Sequence, residues 1–459
     1  MTKRLPFLLI ALLLSMLVAC STPGATSVEP EPTDIPATTE EEVVEEAAEE
    51  PVEESTEAAA PEPTEEPEAV EEAAVEEEMS SEEVAAEAEA PTENLTDGCV
   101  ENYAEGVDYF PQKAEVTHSA GFSLEYFDNY KVLTVNSPFP GAEETAVYVL
   151  VQCGTPAPAG YDDATVIETP INRIIAMSTT YLPYLDTFGE VDSLVGMDST
   201  MFASNTAVRE KIDAGEIVEV GFGAEVNVEQ VLDSEPDVVM TYSSGSPDYD
   251  AHPKLEEAGI TVVLNSDYLD TTPLGRAEWG KFIAALYNKD GEAQAWFDDI
   301  VADYESLVGL VSGVEERPTV FANTPYEGTW YMPGGQSYAG IQLADAGADF
   351  VWAEDESTET LFLDFETVYD QAADAQYWVN IGFFFTLEDL LAADERFADF
   401  AAYANGNVYN NDALTNEFGG NDFYESGAAN PNVVLADLIK IFHPELLPDH
   451  DLVYYRVME

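Results

Sequence analysis

Residues 326–338 combine aromatic side chains with glycines in a pattern suited to binding a bulky ligand. The segment contains Tyr326, Trp330, Tyr331 and Tyr338 together with three glycines. Aromatic faces bind broad, partly apolar molecules, and glycine allows close approach of the backbone. For each single ring, packing in the core is an equally open interpretation, so the prediction of a binding surface depends on the cluster as a whole.

Polar and aromatic residues also follow short apolar strands in an earlier part of the chain. The strands predicted at 173–177, 237–241 and 260–264 are each followed by Ser, Thr, Asn or Tyr. In parallel sheets, ligands bind beyond the carboxyl ends of the strands. The ligand-binding residues predicted for the two halves of the chain are Thr179, Tyr181, Phe222, Tyr242, Tyr268, Tyr326, Trp330, Tyr331, Gln336 and Tyr338.

Other residue types that could carry chemistry do not form a recognisable site. The four histidines are scattered, and a transition-metal site requires clustered ligands. His118 is therefore interpreted as structural. Arg276 has two interpretations, an ion pair near a helix start, which is favoured, and a contact with an anionic ligand group. We predict no catalytic residue, no metal site, no cofactor and no enzymatic activity.

The first twenty residues predict export and lipid attachment. Lys3 and Arg4 precede an apolar run from residue 5 to residue 18, and Ala19 precedes Cys20. This is a secretory signal (1–20) that ends at a cysteine to be acylated. An uncleaved anchor helix is the alternative, and both interpretations place the remaining chain outside the cytoplasm. We expect a protein held by lipid at the outer face of the cytoplasmic membrane.

Residues 21–96 are predicted to form a disordered acidic tether. Of the 92 acidic residues, 27 lie between Glu29 and Glu93, and no Lys or Arg occurs between Arg4 and Lys113. Such a segment cannot bury enough apolar surface to offset its ordering entropy. The rest of the chain still has 65 acidic and 13 basic residues. Nucleic acid is excluded as a partner, because a phosphate backbone requires a basic surface.

The next segment, 97–164, is predicted to be a β-rich extension. Strands at 122–127 and 130–135 form a hairpin, and 146–152 is a third strand. Cys99 and Cys153 are an even pair in an exported chain, which favours one disulfide over two separate buried thiols.

From residue 165 onward, short apolar strands alternate with helices, which indicates parallel sheets covered on both faces. An N-terminal lobe spans 165–287, a connecting helix spans 288–316, and a C-terminal lobe spans 317–459. The predicted fold class is α/β: two α/β lobes with mostly parallel sheets, joined by one long backbone helix, plus the β-rich N-terminal extension.

Four segments within about 165–459 resemble a known family. They are Asn172-Arg-Ile-Ile-Ala-Met-Ser178, the segment 188–196, the Asn-Val-Glu helix and strand of 227–239, and Pro444-Glu-Leu-Leu-Pro448. Together they resemble the iron-siderophore/cobalamin (class III) family of ABC-transporter substrate-binding lipoproteins. The resemblance implies two lobes around a rigid helix, and a ferric siderophore, haem or cobalamin as ligand in the cleft between the lobes.

The resemblance also implies partners. In that family, one acidic residue on each lobe docks on arginines of an ABC permease, which works with its ATPase. Glu229 and Glu366 occupy the matching positions, at the start of a helix in each lobe. Without the resemblance, an acidic residue at a helix N-terminus is explained by the helix dipole. A surface sensor or adhesion module, and a metal-related enzyme on the same scaffold, are the alternative functions.

Overall fold

The structure, a computed structural model, describes residues 90–459. The predicted signal peptide, the lipid attachment at Cys20 and nearly all of the acidic tether lie outside the described residues. Within residues 90–459, no helix combines the length and the apolar character that crossing a membrane requires.

The extension folds as a four-stranded sheet that includes the predicted hairpin. Adjacent strands pair antiparallel, except for the last two, which are parallel. The fourth strand is not predicted from the sequence. Cys99 and Cys153 are bonded in a disulfide, with their Cα atoms 4.8 Å apart. The strands are β1 (Phe122–Tyr126), β2 (Tyr130–Val135), β3 (Ala146–Gln152) and β4 (Thr165–Thr169), in the order β1-β2-β3-β4.

The N-terminal lobe is a five-stranded parallel sheet with helices between the strands, as the alternating pattern predicts. The order is β7-β6-β5-β8-β9, so the chain starts in the middle and reverses direction across the sheet. Its strands are β5 (Ile174–Ala176), β6 (Leu194–Met197), β7 (Val218–Glu219), β8 (Val238–Thr241) and β9 (Val262–Leu264), and its helices are α1 (Leu182–Thr187), α2 (Thr206–Ala214), α3 (Val228–Asp233) and α4 (His252–Glu257).

Two consecutive helices, α5 (Pro273–Leu286) and α6 (Asp290–Val311), lead from the first lobe to the second. Thr272 caps α5 by accepting a hydrogen bond from the Gly275 N–H at 3.0 Å. Asn288, with φ of +59°, separates the helices, because this left-handed conformation ends the first helix. The predicted long connecting helix is therefore present as the 22 residues of α6.

The C-terminal lobe contains a second mostly parallel sheet, in the order β13-β10-β15-β16-β17, with β17 antiparallel at one edge. A separate antiparallel sheet, β11-β12-β14, is not predicted from the sequence. The strands are β10 (Thr319–Ala322), β11 (Pro325–Tyr326), β12 (Thr329–Pro333), β13 (Asp349–Phe350), β14 (Thr360–Leu363), β15 (Tyr377–Val379), β16 (Val408–Asn410) and β17 (Arg456–Val457), and the helices are α7 (Tyr338–Asp345), α8 (Phe365–Ala372), α9 (Leu387–Ala393), α10 (Ala401–Asn405), α11 (Asp422–Ala429) and α12 (Pro431–Phe442). The predicted fold class is confirmed.

The extension shares one hydrophobic core with the N-terminal lobe and α5. The Phe122 ring lies 4.8 Å from that of Trp279 and 5.6 Å from that of Phe282. A fully buried ion pair of 3.0 Å joins Lys131 of β2 to Asp290 at the start of α6. The extension is thus part of the same folded unit as the connecting helices.

Candidate functional site

Several strands of both lobes end at one cleft. In the N-terminal lobe, Tyr242 follows β8, and Asp267 and Tyr268 follow β9 after two residues. In the C-terminal lobe, Asn323, Asn380 and Asn411 directly follow β10, β15 and β16. Because parallel strands place their carboxyl ends at one edge of a sheet, these side chains meet between the lobes.

Three cavities with shared walls lie along this cleft, of about 560, 400 and 270 Å³. The first is lined by both lobes, including Tyr268 and Tyr338. The second lies against the N-terminal lobe, and Thr180 and Arg276 belong to both the second and the third. Volumes in this range are typical of small-molecule sites, which are about 300–1,000 Å³.

The N-terminal wall of the cleft contains buried polar atoms that have no hydrogen-bond partner. They are the Nε atom of Arg276, the Oδ2 atom of Asp267 and the hydroxyl oxygen of Tyr181. Buried polar atoms are nearly always hydrogen-bonded, so such a group at one place marks a site that a ligand or water can complete. The three side chains come from α5, the loop after β9, and the segment just before α1.

Arg276 is the central cation of this wall. Its guanidinium carbon lies 5.4 Å from the centre of the Tyr338 ring, which belongs to the other lobe. Among the described residues it forms no ion pair, so the favoured prediction of an ion pair near the helix start is wrong. The helix start is stabilised by Thr272 and Pro273 instead, and this leaves the guanidinium facing the cleft.

Burial changes the acid–base behaviour of the wall. Burial raises the pKa of Asp267 above its usual value, and the positive charge of Arg276 opposes this change. Burial also raises the pKa values of Tyr181 and Tyr338. The phenols are therefore neutral at physiological pH, and they can donate a hydrogen bond to an oxygen of a bound molecule.

Around the smallest cavity, the C-terminal wall consists mainly of amides and aromatic rings. Asn323, Asn380, Asn411 and Gln342 line the smallest cavity, together with Phe423, Tyr424 and Tyr338. Asn323 and Asn380 have φ values of +63° and +61°, which asparagine tolerates better than most residues do. The backbone can thus turn sharply after each strand while the amide stays at the cleft.

The cleft includes four of the ten predicted ligand-binding residues: Tyr181, Tyr242, Tyr268 and Tyr338 line at least one cavity. Phe222 is 61% exposed, and its ring lies 6.4 Å from that of Tyr242, at the rim of the cleft. Thr179, Tyr326, Tyr331 and Gln336 are not part of the three cavity walls. Tyr331 packs with Phe362 on the exposed face of the β11-β12-β14 sheet, at a ring distance of 5.5 Å.

The prediction that Trp330 contacts the ligand is wrong. Its side chain is completely buried, and its indole N–H donates a hydrogen bond of 2.9 Å to the Ala322 carbonyl oxygen in the core. Neighbouring residues of a strand face opposite sides of the sheet. Trp330 therefore faces the core, whereas Tyr331 faces outward. Gly334 and Gly335 also have a different role, because a Cβ atom there would lie within 2.7 Å of backbone oxygens of residues 352–359.

The predicted ligand-binding residues include neither Asp267 nor any of the four amides of the smallest cavity. Asn323, Asn380 and Asn411 directly follow parallel strands, so strand ends placed correctly would have identified them. Asp267 lies just beyond the end of β9, and only its burial marks it as part of the site.

The two acidic residues predicted for docking occupy equivalent places in the lobes. Asn227 and Asp364 cap α3 and α8 through their side chains, and Glu229 and Glu366 follow two residues later. In the N-terminal lobe, α3 is followed by β8, which pairs with β5, the first strand of that sheet. In the C-terminal lobe, α8 is followed by β15, which pairs with β10, the first strand of that sheet. Both carboxylates are exposed, and Glu366 lies 3.4 Å from Arg396.

Among residues 90–459, no group of three or more His, Cys, Asp or Glu side chains is placed to hold a metal ion.

Comparison with known proteins identifies a matching family model and similar lipoproteins. A family model described as periplasmic binding protein matches residues 174–414. Two uncharacterized lipoproteins from Methanocaldococcus jannaschii are similar. One is 30% identical over 322 residues, which is 67% of this chain and 79% of the relative. The other is 26% identical over 296 residues, which is 62% of this chain and 68% of the relative.

Solved structures with a similar fold include an ABC transporter substrate-binding protein from Listeria monocytogenes EGD-e. It is 20% identical, with a TM-score of 0.44, over 60% of this chain and 99% of that chain. A periplasmic heme binding protein from Pseudomonas aeruginosa is 17% identical, with a TM-score of 0.47, over 63% of this chain and 98% of that chain.

Proposed function

Because the chain belongs to the periplasmic binding protein family, we propose that it is the ligand-binding component of an ABC importer. In this proposal, the protein is held by lipid on Cys20 at the outer face of the cytoplasmic membrane. It binds a ferric siderophore, or a related chelate or tetrapyrrole such as haem or cobalamin, in the cleft between the lobes. It delivers this ligand unchanged to the permease and its ATPase.

The observation that carries the proposal is the group of unpartnered buried polar atoms in a cleft with two different walls. The guanidinium of Arg276 and the phenol of Tyr181 offer donors to ligand oxygens. The amides and rings of the facing wall offer neutral contacts to a large, partly apolar body. A preformed cleft of this kind suits capture of an intact molecule.

The charges of the cleft favour some chelates over others. Among the described residues that line the three cavities, Arg276 is the one cation, and Asp267, Asp270 and Glu359 are the carboxylates. A ferric triscatecholate with three negative charges would meet an acidic surface. We therefore propose a neutral or singly charged chelate or corrinoid as the preferred ligand.

Calorimetric titration of the full-length protein tests the proposal. The compounds are ferric desferrioxamine B, cyanocobalamin, haemin and ferric enterobactin, which differ in net charge. We expect one of the first two to bind with a Kd of about 1 μM or lower, which corresponds to about −8 kcal/mol. Binding of none of the four would contradict the proposal, and chemical change of a bound compound would favour an enzyme.

For the permease, we propose that Glu229 and Glu366 form the two docking contacts. Two separated carboxylates at equivalent places can bind two guanidinium groups and so fix the orientation of the complex. The double variant Glu229→Lys/Glu366→Lys should abolish uptake of the bound compound by cells, because both contacts become repulsive. Its affinity for the compound in solution should stay within about twofold, since neither residue lines the cleft.

The matched control is Glu210→Lys/Glu388→Lys. Glu388 is also exposed and also follows an N-cap residue by two positions, so the control includes the cost of a lysine at a helix start. Loss of uptake in the control, or loss of ligand affinity in the docking variant, would contradict the assignment.

A further inference from the structure

The extension is outside the matched family region, which begins at residue 174, yet one of its loops reaches the cleft. This loop, residues 136–145, connects β2 to β3, and Pro140 lines two of the three cavities. We propose that the β2–β3 loop is a third wall of the ligand site, that Pro140 contacts the bound molecule, and that the loop limits the size of the ligand on this side. The inference rests on the proposed function.

The loop is held against the same strand ends that form the N-terminal wall. The hydroxyl of Ser266, which is 1% exposed, donates a hydrogen bond of 2.9 Å to the Pro138 carbonyl oxygen. Ser266 is adjacent to Asp267, so the loop is attached next to the buried polar group.

A second contact holds the tip of the loop. The Phe139 ring lies so close to Gly245 that a Cβ atom there would be 2.7 Å from it. Gly245 has a φ of +78° and follows Ser244, which lines the 400 Å³ cavity. Within the loop, the Ala142 N–H donates to the Phe139 carbonyl oxygen at 3.1 Å, which closes a turn around Pro140. Pro140 is thereby fixed at the edge of the cavity by contacts on both sides.

The sheet beneath the loop is fixed as well. The buried ammonium group of Lys131 pairs with Asp290 and also donates to the Asn288 side-chain oxygen at 3.0 Å. On the next strand, the Tyr148 hydroxyl accepts a hydrogen bond of 2.8 Å from the Leu264 N–H, at the end of β9. Breaking buried contacts of this kind is costly, so the loop does not swing away from the cleft without loss of core packing.

A large ligand that fills the two cavities would therefore meet a rigid proline ring. Because the loop is anchored, a bulkier side chain at position 140 projects into the cavity instead of moving aside. The test is Pro140→Trp in the full-length protein, titrated with ferric desferrioxamine B, cyanocobalamin and haemin, each separately. For the compound that binds the natural protein, we expect affinity to fall by about tenfold or more, equal to about 1.4 kcal/mol.

The control is Pro156→Trp, which places the same side chain at an exposed proline of the same extension, away from the three cavities. Equal affinity of the natural protein and both variants would overturn the inference while leaving the proposed function intact. Absence of binding by the natural protein would overturn the proposed function, and the inference with it.

Hydrogen–deuterium exchange of the natural protein provides a second measurement that needs no variant. Addition of the compound that binds should slow exchange of the amides in 136–145 and leave those in 154–163 unchanged. Unchanged exchange in 136–145 on ligand binding would overturn the inference, even if Pro140→Trp failed to fold.

Discussion

The two main walls of the cleft differ in their chemistry although they are built in the same way. Each uses residues that follow parallel strands, but the N-terminal wall carries a cation, a carboxyl group and phenols that are buried. The C-terminal wall carries mainly amides and aromatic rings, and its one carboxylate among the described lining residues is Glu359. Equivalent positions of one fold can thus hold different side chains. The proposed function assigns recognition of charge to the first wall and recognition of shape to the second.

The strongest test of this difference removes the cation. Arg276→Gln should weaken binding of the compound that binds the natural protein by about 100-fold, equal to about 3 kcal/mol, because the loss also leaves Asp267 buried without its opposing charge. Calorimetric titration measures the change.

Arg209→Gln is the matched control, because Arg209 packs against the Phe418 ring outside the three cavities. Its affinity should stay within about twofold of that of the natural protein. Equal affinity of the natural protein, Arg276→Gln and Arg209→Gln would mean that the N-terminal wall does not recognise the charge of the ligand.

A second test concerns a contact that joins the lobes. Glu425 of α11, which is 1% exposed, accepts hydrogen bonds of 2.7 Å from the Ser204 and Asn205 N–H groups of the other lobe. Burial raises the pKa of Glu425 to about 7, and the charge of Asp422 adds to the increase.

Because this pKa is higher in the folded state than in the unfolded state, the contribution of Glu425 to stability is full below about pH 4.5 and is lost as the pH rises through about 7. Glu425→Gln removes this titration. Between pH 5 and pH 8, the free energy of unfolding of the natural protein should therefore fall by on the order of 2 kcal/mol more than that of the variant.

Urea unfolding at the two pH values measures the difference. Other carboxyl groups titrate equally in both proteins, so their effect cancels in the comparison. Parallel pH profiles of the natural protein and Glu425→Gln would show that Glu425 titrates normally.

The smallest expected effect concerns the aromatic side of the comparison. Tyr338→Leu removes the ring that faces Arg276 across the cleft and should weaken binding by about fivefold, equal to about 1 kcal/mol. Tyr338→Phe keeps the ring face and is the matched control, with an expected change of about twofold or less. If both variants lose affinity equally, the hydroxyl group and not the ring makes the contact.

Much of the fold can be predicted from the sequence because its signals are local. The bounds of β2 and β3 agree with the predicted strands, since each is a short apolar or alternating run between turn residues. The β11–β12 hairpin was missed, although Glu327 and Gly328, with φ of +50° and +84°, form the kind of two-residue turn that joins hairpin strands. Its partner β14 lies about thirty residues later, where no local pattern indicates the pairing.

The site is less predictable, as Trp330, Arg276 and Pro140 illustrate. The types of these residues allow a core, an ion pair or a loop position as readily as a ligand contact. The position of Trp330 depends on which face of β12 packs on the lobe, and that of Arg276 depends on α5 lying opposite Tyr338 of the other lobe. Pro140 approaches the cleft only because its sheet shares a core with α5.

The sequence by itself determined two α/β lobes, a long helix between them and a β-rich extension, because periodicity and turn residues act over a few positions along the chain. The tertiary structure decided which strand ends face each other, that Arg276 meets Tyr338 across the cleft, and that a loop of the extension forms a further wall. These contacts join residues more than fifty positions apart, and packing of the whole molecule, not local pattern, fixes such distances.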